Sequence, residues 1–315
     1  MASDLCQRVR KELVPEGTFL KSDRSPVTIA DYGSQAILCK MIKERFPEDV
    51  IAAEEDSGEL RKPDRSRILD QVTRYVSHLI PDCSAGQVCS WIDFGSHSVA
   101  KRYWALDPID GTKGFLRNDQ YAIALGLIED GAVTLGLLAC PNLYVDYHLP
   151  EGEKGCLFLA IRGKGSIQMN LSGDQRKPLS ISEIANPREA SFTESVEPEH
   201  GDHLLHQRLA QKLNISKPSL KMDSQAKYGI LARGEVTLYL RVPLSSTPAY
   251  KEKVWDHAAG SLIAEEAGGK VTDISGIPLD FSSGVSMEKN DGILVSNGIL
   301  HDIVLKALSS ITHPH

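Results

Sequence analysis

The stretch RYWALDPIDGTKG (102–114) decides how the rest of the chain is read. RYWAL has the apolar content of a buried strand, and DPIDG ends it. Asp107 and Asp110 stand three residues apart across a turn that Pro108 stiffens, so both carboxylates can converge on one point beyond the strand end. Oxygen donors of this kind suit a hard cation such as Mg²⁺. Gly111 lets backbone approach a ligand closely. Thr112 and Lys113 open the next segment, where free N–H groups can hold a phosphate. An Asp-rich turn that only caps and reverses the chain has the same spacing, so the motif alone leaves both readings open.

Downstream, YAIALGLI (121–128) and AVTLGLLA (132–139) flank Glu-Asp-Gly, which predicts a hairpin. LFLAI and SIQMN flank Gly163-Lys164-Gly165 in the same way, and these glycines fit a turn better than a phosphate loop. Upstream, apolar residues at helical spacing predict helices at Leu5–Leu13, Thr28–Glu44 and Ile68–Ile80, with VIAA (50–53) as a short buried strand. A polar segment over 171–189 suggests a division into halves 1–175 and 176–315. Beyond it strands and helices alternate: SFTES, a helix near 203–213, a strand near 219–222, a helix near 224–232, VTLYLRV, the helix WDHAAGSLIAEEAGG, GILVS and a helix from about 298. Such alternation predicts an α/β fold, a sheet covered by helices.

Apolar residues make up 41% of the 315 residues and charged ones 24%, as in globular proteins. With 35 basic and 42 acidic residues the net charge is −7, which gives nucleic-acid binding no support. An anionic substrate would need local positive charge, which bound cations would supply. No apolar run is long enough for a membrane helix, and the charged N-terminus lacks a signal core. The six cysteines form no C-x-x-C pair, so they read as reduced thiols in a cytoplasmic protein.

Other carboxylates have ordinary readings when taken alone. Glu54-Glu55-Asp56 follows the strand VIAA; one of the three could be a ligand, and acidic runs are commonly solvated loops. Asp31 completes the capping pattern Thr28-x-x-Asp31. Asp256 reads as a first-turn acid favoured by the helix dipole. His257 beside it is weak evidence of anything. His200, His203 and His206 lack zinc-type spacing with cysteines. No nucleophile elbow, Walker loop or dinucleotide fingerprint occurs.

Taken in order, SPVTIADYGSQA, AAEEDSG, WALDPIDGTKGF, DSQAKYG and KVWDHAAG resemble the motifs of the 3′(2′),5′-bisphosphate nucleotidases. These are the plant and fungal branch of the lithium-sensitive, inositol monophosphatase-like phosphatases. The match spans about residues 5–308. The resemblance implies a layered αβαβα sandwich of the inositol monophosphatase and sugar phosphatase type. It places Glu54, Asp107, the carbonyl of Ile109, Asp110 and Asp256 on metal-ligand positions for two to three Mg²⁺ ions. Asp31 and Thr112 fall on catalytic positions. Gly111, Thr112, Asp223, Ser224, Lys227, Arg241 and Asp256 fall on substrate-binding positions, and His200, with His203 as competitor, where a base would be contacted. The implied reaction is hydrolysis of adenosine 3′,5′-bisphosphate to AMP and phosphate, with 3′-phosphoadenylyl sulfate as a second substrate, by a monomer that needs no membrane. An inositol polyphosphate 1-phosphatase and a non-enzymatic nucleotide sensor are the alternatives. The N-terminal helix and the segments after Asp93 and Asn142 look short for the family.

Overall fold

The computed structural model of the protein describes residues 1–12, 18–20, 26–146, 151–197, 202–242 and 251–312. The chain opens with α1 (Ala2–Glu12) and the ribbon of β1 (Thr18–Leu20) and β2 (Pro26–Thr28). Then come α2 (Ile29–Arg45), β3 (Val50–Ala53), α3 (Ser66–Ser77), α4 (Ala85–Ile92) and β4 (Gly95–Ser96). β5 (Arg102–Asp110) and the short α5 (Thr112–Leu116) lead into a meander of β6 (Ala122–Glu129), β7 (Ala132–Tyr144), β8 (Lys154–Ile161), β9 (Ser166–Asn170) and β10 (Lys177–Pro178). After it follow β11 (Phe192–Glu194), α6 (His203–Leu213), β12 (Leu220–Lys221), α7 (Ala226–Ala232) and β13 (Leu238–Arg241). The described chain closes with α8 (Ala258–Glu266), β14 (Lys270–Thr272), β15 (Ile293–Ser296) and α9 (His301–Thr312).

The larger sheet has the order β10-β9-β8-β7-β6-β5-β3-β4, the smaller β12-β11-β13-β15-β14. Period-two alternation sorts their side chains into layers. On β6 and β7, Ala122, Ala124, Leu138 and Cys140 point into the central core, while Ile123 and Ala139 face the outer layer of α1 to α4. On the smaller sheet, Tyr239, Ile293 and Val295 point to the same central core. Leu238, Leu240 and Leu294 face α6 and α9 on the far side. α7 and α8 lie between the sheets, and the order of layers is αβαβα. This location explains α8. Its sequence promises one apolar side, yet Ala258 to Ala264 are all buried, because both of its faces meet a sheet.

Local chemistry accounts for the turns. Asp130 and Gly131 both have positive φ, 49° and 81°, the two-residue geometry that matches strand twist in a hairpin. α4 is an element the sequence reading passed over, although Ser84 and Gln87 form a reciprocal capping box at its start. WDHAAGSLIAEEAGG is not one helix. His257, at φ −136°, leaves helical geometry, so Val254–Asp256 is a separate 3-10 turn ahead of α8. Asp256 is therefore not in the first turn of the helix.

Gly136 lets α8 close on β7. A Cβ there would lie 2.6 Å from the Ala259 carbonyl oxygen. Gly136→Ala is expected to cost about 1–3 kcal/mol. The urea midpoint should fall at unchanged m value. A wild-type midpoint would show that α8 can lift off the sheet at no cost.

Candidate active site

Two features of the larger sheet bring its acids together. β3 and β5 are parallel and in register through Ala53 and Leu106, so Glu54 and Asp107 leave the sheet side by side. The β5–β6 ladder then shifts register between Asp107 and Asp110. That irregularity turns the strand end, and the Ile109 N–H folds back onto Asp107 Oδ1 at 3.0 Å. The acids border a cleft of about 820 Å³ that also reaches Ser224, Lys227, Tyr239, Arg241 and Asp256 from the later part of the chain.

Asp31 is fully buried and serves two neighbours. Its Oδ2 accepts the Thr28 N–H at 2.8 Å and the Thr28 hydroxyl, completing the capping box of α2. Its Oδ1 accepts the Thr112 hydroxyl at 3.2 Å, which also lies 3.2 Å from the Ile109 carbonyl. One turn along α2, buried Gln35 fixes the loop that carries Glu54. Its Oε1 accepts the Glu55 N–H at 3.0 Å, and its Nε2 donates to the carbonyls of Glu55 and of Ile92. Asp93 braces the same loop through the Ser57 N–H at 2.9 Å and the Ser57 hydroxyl at 2.7 Å.

Close approach of the β5 end to the turn at Ser224 is built at Gly111. Its φ is +85°, and a Cβ would lie 3.1 Å from the Ser224 Cβ, so a glycine is required. Ser224 itself adopts φ 66°, an uncommon conformation for a residue with a side chain. The turn it forms lets the next N–H, of Gln225, donate to Asp110 Oδ2 at 2.6 Å. The Gln225 amide continues to the Trp255 carbonyl at 2.9 Å and the Gly260 N–H at 3.1 Å, tying the turn that bears Asp256 to Asp110.

The carboxylates are buried and repel one another. Burial, then repulsion from Glu54, Asp110, Asp256 and Asp31, pushes Asp107 well above the usual carboxylate range. Asp256 is raised by burial and by Asp110, against the pull of Arg241. Asp110 is also raised by burial, with Lys227 opposing. Four carboxylates and the Ile109 carbonyl are hard oxygen donors whose repulsion a divalent ion would relieve, and this set fits magnesium. Glu252, Asp256 and His257 also come within 4.8 Å of one another. Glu252 and His257, however, bond each other at 3.1 Å and have further partners in Arg241 and Tyr228, so their polar atoms are already engaged.

Lys227 lines the same cleft and is buried, with its Nζ donating to the Met222 carbonyl at 3.1 Å, over the Tyr239 ring. Burial pulls its pKa down to about 8. An incoming anion would restore its full charge. Asp223 lines the cleft and pairs with Arg117, and Glu197 bridges Arg117 to Lys113. His203 pairs with Glu194 at 3.0 Å and is not among the cleft-lining residues, while His200 lies outside the described residues. No helix among the described residues is long and apolar enough to cross a membrane. The cysteines are all free; burial raises the Cys39 thiol to about 12 and the Cys156 thiol to about 11.

This layered sandwich, with acids gathered at a strand end, is the architecture of a phosphatase superfamily, and the sequence matches the Inositol monophosphatase family over residues 1–313. The chain belongs to that family, which is generally magnesium-dependent. Among its curated relatives are proteins named 3′(2′),5′-bisphosphate nucleotidase. The one from Oryza sativa is 45% identical, covering 98% of this chain and 90% of the relative. The one from Schizosaccharomyces pombe is 40% identical, covering 100% and 94%. Among solved structures, the Thermotoga maritima IMPase superposes with a TM-score of 0.66 at 20% identity, covering 99% of this chain and 93% of that one, a likeness of fold.

Proposed function

We propose that this protein removes the 3′(2′)-phosphate of adenosine 3′,5′-bisphosphate, giving AMP and phosphate, as the names of its relatives indicate. The observation that carries the reading is one cleft lined both by the acids Glu54, Asp107, Asp110 and Asp256 and by the cations Lys227 and Arg241. Such a cleft suits a substrate with two phosphates, one to be cleaved and one to be held.

Two to three Mg²⁺ ions held by Glu54, Asp107, the Ile109 carbonyl, Asp110 and Asp256 would supply Lewis-acid chemistry, acidifying a water and neutralising the scissile phosphate. Thr112 and Asp31 form the proton path: the Thr112 hydroxyl donates to Asp31 Oδ1, leaving the Thr112 oxygen able to take a proton in exchange. Gly111 and the N–H groups opening α5 border the phosphate to be cleaved, as Ser224 does from the other half. Lys227 and Arg241 hold the second phosphate through charge-assisted bonds. In 3′-phosphoadenylyl sulfate the same cations would meet a sulfated phosphate, which makes that compound a second substrate. The free thiols suit a reducing compartment such as the cytoplasm.

The test is phosphate release from adenosine 3′,5′-bisphosphate and from 3′-AMP, which lacks the second phosphate. Arg241→Ala is expected to lower kcat/KM for the bisphosphate by about ten- to a hundredfold more than for 3′-AMP. An equal loss on both would mean that Arg241 does not read the second phosphate, and an inositol polyphosphate would become the better candidate substrate.

A further inference from the structure

We infer that Glu252 is a positioning residue for substrate specificity: a buried hydrogen-bond chain, Tyr228–His257–Glu252, aims the Arg241 guanidinium at the second phosphate of the substrate. The inference rests on the two-phosphate reading of the cleft and deepens it. Arg241 ends β13, and the chain re-enters the described structure at Lys251. Glu252 is fixed from its backbone outward. Its carbonyl accepts the Met287 N–H at 2.9 Å, and Lys253 beside it bridges to Ser286. Its side chain, 5% exposed, gives one oxygen to Arg241 Nε at 2.7 Å and the other to His257 Nε2 at 3.1 Å. His257 Nδ1 in turn meets the Tyr228 hydroxyl at 2.8 Å, inside the central core.

The chain has one consistent direction. A carboxylate paired with arginine only accepts, so His257 donates from Nε2, its Nδ1 accepts, and the Tyr228 hydroxyl donates. The contact with Arg241 is made at Nε, the nitrogen nearest the stem, and this fixes the plane of the guanidinium fork. A carboxylate behind an anion-binding arginine balances its buried charge but also weakens its pull on a phosphate, so charge alone does not account for tight anion recognition there. Orientation does: a planar fork recognises a phosphate only when it is correctly turned, and Lys227 alone is a point charge.

kcat and KM for adenosine 3′,5′-bisphosphate and 3′-AMP should be measured for wild type, Glu252→Gln, Glu252→Asp, Arg241→Ala and the Arg241→Ala/Glu252→Gln double variant. Glu252→Gln is expected to raise KM for the bisphosphate about tenfold, with its kcat and both constants for 3′-AMP within about twofold of wild type. Glu252→Asp should recover part of the loss, and the double variant should match Arg241→Ala in its preference between the two substrates, because Glu252 reaches the second phosphate only through Arg241. Equal losses on both substrates, or losses that add in the double variant, would overturn the inference while the two-phosphate reading stands. An unselective Arg241→Ala would instead overturn that reading and the inference with it. Should Glu252→Gln not fold, Tyr228→Phe carries the test, since it keeps the ring and removes only the hydroxyl. A selective rise in KM of about two- to fivefold is then expected, and its absence counts against the chain.

Discussion

Asp110→Asn is expected to lower phosphate release on the order of 10³-fold in a protein that still folds. The substitution keeps the shape of the side chain, and an amide oxygen can still accept the Gln225 N–H that Asp110 Oδ2 now takes at 2.6 Å. What it removes is an anion from the group formed with Asp107 and Asp256. Burial raises the Asp110 carboxyl above its ordinary value, against the pull of Lys227. The sign follows: a carboxyl whose folded pKa is raised costs stability in its ionised form, a cost absent at low pH and present once the pH passes that value. In chelator at neutral pH, Asp110→Asn should therefore melt no lower than wild type. Added magnesium should raise the wild-type melting temperature more than that of the variant, since only an ion bound to the folded state stabilises it. Near wild-type phosphate release from folded Asp110→Asn would remove Asp110 from the metal site.

Legibility in the sequence followed the range of the interactions. That Asp107 and Asp110 share one strand end was readable because they are three residues apart and the strand before them is apolar. The hairpin at Asp130-Gly131 was readable because a two-residue turn needs its own positive φ. Which of the three acids after VIAA leaves the sheet beside Asp107 was not legible, since it is set by the parallel register of β3 with β5, a pairing across about fifty residues of sequence. Gln35, Gln225 and Glu252 escaped notice as positioning groups for a similar reason. Each is a buried polar residue whose partners lie elsewhere in the chain. The one local signal was a polar side chain inside an apolar run, as with Gln35 in SQAILC, because a buried amide must find partners. Asp256 was read as the first turn of a helix and stands in a 3-10 turn ahead of it. Nothing in WDHAAG separates a 3-10 turn from the first turn of a helix, and the break at His257 accompanies its bonds to Glu252 and Tyr228.

Asp31 is the residue for which the plain reading and the functional one are both visible. Its two carboxylate oxygens divide the roles, with Oδ2 on the Thr28 cap and Oδ1 on the Thr112 hydroxyl. Asp31→Asn separates them. The amide oxygen can keep the Thr28 N–H, so the α2 N-terminus should lose no more than about 1 kcal/mol. The amide nitrogen then faces Thr112 and donates to it. This reverses the hydrogen bond and turns the Thr112 proton toward the Ile109 carbonyl, 3.2 Å away. No group on that path can then accept a proton, and turnover is expected to fall about 10²-fold or more. Thr112→Ala should cost a similar factor, and the double variant little beyond either one, because the two residues act as a unit. Thr112→Ser, which restores a hydroxyl, should recover most of the rate. The decisive comparison is rate against melting temperature. A large loss of rate at nearly constant stability assigns proton transfer to Asp31, and an unchanged rate leaves it as a helix cap alone.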